Sequence, residues 1–231
     1  EAESLVNLGN EAYERGDLST SLKFHSSAYD IYVSLNDKRG QAVEMTNLAN
    51  AALENHDDLM ALRLYGQALH VCLEIRYRLG QALAVLGQGH VHYRASENAL
   101  AERCYREALT LLEEIRQPEA QRVAITNLGF LAERQQNTHT AEQYYMQAIQ
   151  LIEAGRRSLS QEEPKISYFG GRLAPYERHA LLLCHQGRVA QGLAMSERSR
   201  ARAFLDLLGQ ARVSSNEPWL NFVQIKDWLV V

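Results

Sequence analysis

Proline is scarce in this chain, with four in 231 residues, and none of them is expected inside a repeat helix. Long helices are therefore open to most of the sequence, because the missing N–H and ring clash that break a helix are rarely present. Cysteine is scarcer still. Cys72, Cys104 and Cys184 form an odd, scattered set of three, which excludes a disulfide framework and reads as buried, reduced thiols in a reducing compartment. No run approaches the roughly 20 apolar residues needed to span a bilayer, and no leader peptide opens the chain. A cytoplasmic protein without a membrane partner is expected. There is no glycine-rich phosphate cradle either, since Gly170-Gly171 lacks a following Lys and Ser or Thr.

Strong net charge is also lacking, but the formal value of −4 conceals a division. Residues 1–154 hold 13 Lys and Arg against 21 Asp and Glu, whereas residues 155–213 hold 10 against 5. The two regions should attract each other or attract different partners. The acidic sign disfavours nucleic acid for the first region. In the second, Arg198, Arg200 and Arg202 recur every two residues, which scatters them around a helix axis rather than gathering them on one face.

What the chain has in abundance is internal repetition. A register of 40 residues aligns Asn7-Leu8-Gly9-Asn10 with Asn47-Leu48-Ala49-Asn50, Gly87-Gln88-Gly89-His90 and Asn127-Leu128-Gly129-Phe130. Ala28, Ala68, Ala108 and Ala148 keep the same step, each preceded three residues earlier by a ring: His25, Tyr65, Tyr105 and Tyr145. Ser21, Ala61, Ala101 and Ala141 keep it too. Small residues recur where two helices approach closely, and the ring fills the space beside that contact. Each unit therefore reads as helix A, a short turn and helix B. In the first unit helix A spans roughly Leu5 to Glu14, the turn holds Gly16 and Asp17, and helix B spans roughly Thr20 to Leu35.

This spacing resembles the tetratricopeptide (TPR) repeat, with Leu8-Gly9-Asn10 and Ala61-Leu62-Arg63-Leu64-Tyr65-Gly66-Gln67-Ala68-Leu69 carrying the likeness. The resemblance implies an all-α, right-handed superhelical solenoid of helix-turn-helix repeats. The common TPR has about 34 residues. The six additional residues are expected between helix B and the next helix A, where Gly40-Gln41-Ala42, Gly80-Gln81-Ala82 and Ala120-Gln121-Arg122 recur. Lengthened repeats of this kind resemble those of kinesin light chains and Pins-type scaffolds.

The expected organisation is four repeats over 1–154, a loop over 155–171, a fifth helical pair over 172–213 and a linker with an apolar tail over 214–231. In the fifth pair, Tyr176 to His185 forms one helix, Gly187 breaks it and Val189 to Leu208 forms its partner. The stretch from Gly187 to Leu208, with its Glu-Arg-Ser-Arg-Ala-Arg-Ala-Phe-Leu core, resembles the segment that joins TPR repeats to the caspase-like CHAT peptidase domain. Val223-Gln224-Ile225-Lys226-Asp227-Trp228-Leu229 resembles the entrance to that domain, so the chain reads as cut before a domain that would carry the catalytic His and Cys. The tail is otherwise a cap that folds back on the last repeat.

Within the chain itself, candidate chemistry fails on spacing, and no catalytic residue, metal ligand, cofactor or small-molecule substrate is assigned. Cys184 and His185 are helical neighbours whose side chains diverge by about 100°. His90 and His92 likewise splay apart, whereas a helical metal site takes the i, i+4 arrangement. Cys104 sits beside the ring column and reads as packing. Glu113-Glu114 and Asp57-Asp58 read as solvated faces or helix starts.

Recognition remains. The TPR resemblance places helix A along a concave groove, with the residues one and four places after the small column directed into it. These are Asn10 and Tyr13, Asn50 and Leu53, His90 and Tyr93, then Phe130 and Glu133, with Arg94 and Arg134 at the groove edge. Amides can bond the backbone of an extended peptide, while rings and arginines supply area and charge. Tyr13 and Tyr93 read equally well as inter-repeat packing. The carboxylate clamp of TPR co-chaperones is not expected, because Val6 and Thr46 stand where it would place lysine. The expected partner is a protein or peptide, or the protein's own C-terminal domain. The chain then governs a downstream CHAT peptidase, or serves as a free-standing adaptor.

Overall fold

A computed structural model describes residues 1–158 and 173–197. Its elements are helices: α1 (Ala2–Glu14), α2 (Leu18–Ser34), α3 (Lys38–Glu54), α4 (Asp58–Glu74), α5 (Arg78–Arg94), α6 (Asn98–Glu114), α7 (Pro118–Arg134), α8 (Thr138–Ser158) and α9 (Ala174–His185). Residues 189–197 are also helical. The chain divides into two compact units, Glu1–Leu151 and Ile152–Val231.

The 40-residue repeat has a simple construction. Helices α2 to α7 are each 17 residues long, and three residues join each helix to the next from α1 to α8. Helix and connection together make half a repeat, so A and B helices alternate with one connection used throughout. The extra residues relative to a common TPR are therefore not inserted between helix B and the next helix A. They lengthen the helices, and Gly40-Gln41-Ala42 and Gly80-Gln81-Ala82 lie inside the first turns of α3 and α5. Helix boundaries move accordingly, to Ala2–Glu14 and Leu18–Ser34 in the first unit.

The connection is a Schellman motif. After α2, the Asn36 N–H donates to the Val33 carbonyl and the Asp37 N–H to the Tyr32 carbonyl, at 3.0 and 2.9 Å. Residue 36 adopts the left-handed conformation, φ 53°, and so do His56, Arg76, Ser96, Arg116 and Gln136, at 20-residue steps from Gly16. The last residue of each connection is also the N-cap of the following helix. Asp17, Asp37, Asp57 and Asn137 accept backbone N–H bonds there. Pro118 opens α7 within its first turn, where its missing N–H has no intrahelical acceptor anyway.

The small and aromatic columns meet as their spacing implies. Tyr65, Tyr105 and Tyr145 are fully buried, as are Ala28, Ala68, Ala108 and Ala148. A Cβ at Gly129 would come within 2.5 Å of the Tyr145 ring, one at Gly89 within 2.6 Å of Tyr105, and one at Gly9 within 2.7 Å of His25. In the first repeat, His25 takes the tyrosine position and donates from Nδ1 to the buried Glu44 carboxylate, 2.7 Å.

Helix α8 runs through Gly155 to Ser158, past the point at which the fourth repeat was expected to end. The rest of the expected loop lies outside the described residues, as do residues 198–231, which include the second half of the joining-helix resemblance and the apolar tail. In the second unit, the Tyr176 hydroxyl donates to Glu153 at 2.7 Å. Gly187 ends α9 with φ 78°, and helical Gly192 lies against Cys184 Sγ. Cys184 is half-buried, unlike the buried Cys72 and Cys104. Among the described residues, no helix is long and apolar enough to cross a membrane.

Candidate binding groove on the A helices

The C-terminal halves of α1, α3, α5 and α7 carry the residues expected to recognise a partner. At the start of the array, Asn10 is exposed on α1. Tyr13, one turn further on, is half-buried and bonds the Glu54 carboxylate at the end of α3. Burial, then the charge of Glu54, pushes the Tyr13 hydroxyl above its usual pKa. Asn50 accepts from the Tyr65 hydroxyl at 2.5 Å, and its neighbour Leu53 is buried.

The next two repeats are tied by a recurrent staple. Arg94, the last residue of α5, donates to the carbonyl of Leu53 on α3, and Arg134, the last residue of α7, donates to the carbonyl of Tyr93 on α5. Each guanidinium thus caps the C-terminal carbonyls of the preceding A helix, where the helix dipole favours a cation. Arg94 also bonds His56 Nδ1 at 2.7 Å and pairs with Asp58 at 3.2 Å. Arg134 lies over the Tyr93 ring, 3.5 Å from its centroid. Glu133 accepts from the Tyr145 hydroxyl at 2.7 Å.

His90 and Phe130 complete the set. Asn127 donates its amide to His90 Nε2 at 2.6 Å, and the imidazole meets Tyr105 edge-on at 5.7 Å. Burial holds the His90 pKa below its ordinary value, so the ring is neutral at physiological pH. Phe130 is half-buried and its ring lies 6.0 Å from that of Tyr145.

These side chains surround a cavity of about 380 Å³ lined by Leu53, Glu54, His56, His90, Tyr93, Arg94, Tyr105, Asn127 and Phe130. Of the expected groove residues, Leu53, His90, Tyr93, Arg94 and Phe130 are brought together there. Asn10, Tyr13, Asn50, Glu133 and Arg134 do not line it. Sequence reasoning missed Glu54, His56 and Asn127, and took Tyr105 for packing alone. A signal for Glu54 was present: the column Glu14, Glu54, Arg94, Arg134 changes sign between the second and third repeats. His56 was hidden because it stands in the left-handed connection rather than on a helix.

The cavity offers rings, one neutral imidazole, an amide and a carboxylate, a lining suited to holding a side chain. Nucleophile and base are not paired in it, and among the described residues no group of three or more His, Cys, Asp or Glu could hold a metal ion.

No family model matches this chain, and no curated protein matches it. Solved structures do. BtubC (BKLC) from P. vanneervenii superposes with a TM-score of 0.67 at 15% identity, over 94% of this chain and 82% of that one. A kinesin light chain from Podosopora anserina with nearly identical TPR-like repeats gives 0.60 at 13%, over 87% and 93%. The Rap conjugation gene regulator of plasmid pLS20, solved in complex with the Phr* peptide, gives 0.68 at 16%, over 90% of this chain but 55% of that protein. At these identities the likeness is one of fold, and the fold of this chain is a TPR-like solenoid of paired helices, a repeat module.

Proposed function

We propose that this chain is a protein-interaction module whose A-helix groove binds an extended peptide or a peptide-like segment of a partner protein, and that it governs a CHAT-type peptidase domain. The observation that supports the binding reading is the cavity between α3, α5, α6 and α7, whose rings and polar groups converge on a volume of about 380 Å³. The Rap regulator bound to Phr* shows a related fold holding a peptide. The regulatory half of the reading rests on the resemblance of the Gly187–Leu208 stretch to a CHAT-joining helix, of which residues 189–197 are helical.

The test uses a randomised nonapeptide library selected on the purified chain, with fluorescein-labelled winners titrated by anisotropy. Phe130→Ala should weaken the winners about tenfold or more, the loss of a central aromatic contact. Arg103→Ala, on the B helix α6, should leave them unchanged. Equal affinity in wild type and Phe130→Ala would remove the groove as the site.

A further inference from the structure

The groove is short of one charge. Two cations stand at it, and both are committed within the fold. Arg94 bonds the Leu53 carbonyl and His56 and pairs with Asp58. Arg134 bonds the Tyr93 carbonyl and covers the Tyr93 ring. Of the anions, Asp58 is matched by Arg94 and Glu133 accepts from Tyr145. Glu54 is different. The partner the structure gives it is the neutral Tyr13 hydroxyl, and no cation of the fold pairs with it among the described residues. Glu54 lines the cavity together with His90, Leu53 and Phe130, and its charge acts on the His90 ring.

From this juxtaposition of an unmatched carboxylate with a ring-lined cavity, we infer that the groove selects partners through a basic anchor: a Lys or Arg side chain whose stem lies against Phe130 and the His90 ring and whose head bonds Glu54. The inference rests on the groove reading proposed above and specifies its ligand. Charge complementarity carries it. A cationic head gains a charge-assisted hydrogen bond at Glu54, and its apolar stem buries against rings, as long basic side chains do elsewhere. An acidic anchor would meet Glu54 and would have to pull Arg94 or Arg134 from the carbonyls they cap. An apolar anchor would fill the volume but leave Glu54 covered without a charge partner. His90 supplies no competing positive charge, because burial disfavours its protonation. The surrounding repeats reinforce the choice, with 13 basic against 21 acidic residues over 1–154, a field that favours cationic segments on approach.

The experiment extends the nonapeptide selection. Winners should carry Lys or Arg at one fixed position, and replacing that residue by norleucine or citrulline should weaken binding about five- to tenfold. Glu54→Gln should lose the same factor for the basic peptide and nothing for the norleucine peptide, a coupling that a merely structural role for Glu54 would not produce. Raising salt from 50 to 500 mM should shrink the difference. The inference is overturned if winners have no fixed basic position, if an acidic residue is enriched instead, or if Glu54→Gln binds the basic peptide as wild type does. In those cases a loss of affinity in Phe130→Ala keeps the groove reading, and its absence removes both. A library that yields no binder overturns both as well.

Discussion

The first repeat contains a built-in control on what holds the array together. At the ring column, Tyr65, Tyr105 and Tyr145 recur, but His25 occupies the first position. Nineteen residues after Tyr65 and Tyr105 come Ala84 and Ala124, whereas the matching position for His25 holds Glu44. His25 and Glu44 are 2% and 0% exposed, and one carboxylate oxygen accepts from His25 at 2.7 Å. The other accepts from the Asn47 amide at 3.1 Å. Histidine and glutamate thus stand together where the later repeats place tyrosine with alanine.

Breaking such a buried pair from one side costs about 3–5 kcal/mol, because the remaining charge is stranded. His25→Tyr alone should therefore destabilise the first two repeats by about that amount. Glu44→Ala alone leaves the imidazole with one unmet N–H, at about 1–3 kcal/mol. The double variant recreates the later repeats. Its new hydroxyl also has a partner waiting, since Tyr65 bonds Asn50 and Asn10 holds the corresponding place on α1. Replacing a buried ion pair by packed residues is often neutral or stabilising by about 1–4 kcal/mol. The double variant should therefore match or exceed wild type, with a coupling energy of at least about 3 kcal/mol between the sites. Urea unfolding followed by circular dichroism gives the global numbers, and amide exchange in α1 to α3 gives the local ones, which matter because repeat arrays can unfold in parts. If His25→Tyr alone is as stable as the double variant, Glu44 is not a stranded charge and the reasoning fails.

Three further outcomes follow from the geometry. Arg76 and Arg116 sit in the left-handed connections with φ 56° and 54°, so Arg76→Gly and Arg116→Gly should each stabilise by about 0.5–1 kcal/mol in chemical unfolding, and a loss would mean the arginine side chains contribute contacts. His90 is held below its ordinary pKa of 6.5, so the unfolded chain takes up a proton that the folded chain refuses. Stability should fall as pH drops through 6.5 for wild type and fall less for His90→Gln, and parallel pH profiles would refute this. Burial pushes the thiols of Cys72 and Cys104 above their usual pKa, so one fast equivalent should react with an aromatic disulfide reagent at pH 8 in the native protein. That equivalent should vanish in Cys184→Ser.

The repeat was legible in the sequence because its determinants are local and recur. A ring needs a small residue opposite it, and four copies of that pairing at one spacing fix the period, the helix pairs and the close contacts at Gly9, Gly89 and Gly129. The helix lengths were not legible. Gly40 and Gly80 suggested connections, yet both lie inside helices, where Tyr32 and Cys72 with Tyr77 occupy the space a Cβ would need. The true connections carry Asn, His, Arg, Ser, Arg and Gln in the left-handed conformation, a signal visible only at Gly16 and, more weakly, at Asn36. What marks them instead is a 20-residue step of N-cap aspartates at 17, 37 and 57, which fades after the second repeat.

The groove divides along the same line. Leu53, His90, Tyr93, Arg94 and Phe130 line the cavity, whereas Asn10, Tyr13, Asn50, Glu133 and Arg134 at equivalent positions do not, because helical phase sets the face of the helix but not where along the array the cavity lies. Position along helix A could not predict that Arg94 and Arg134 reach back 41 residues to the helix ends of the preceding repeat, since a contact across repeats depends on how the helices stack. Those staples bear on the ligand proposed for the groove. An arginine counted as free suggests an acidic ligand. Once each is seen to cap a helix of its neighbour, the inferred ligand is a basic one, drawn by the carboxylate of Glu54.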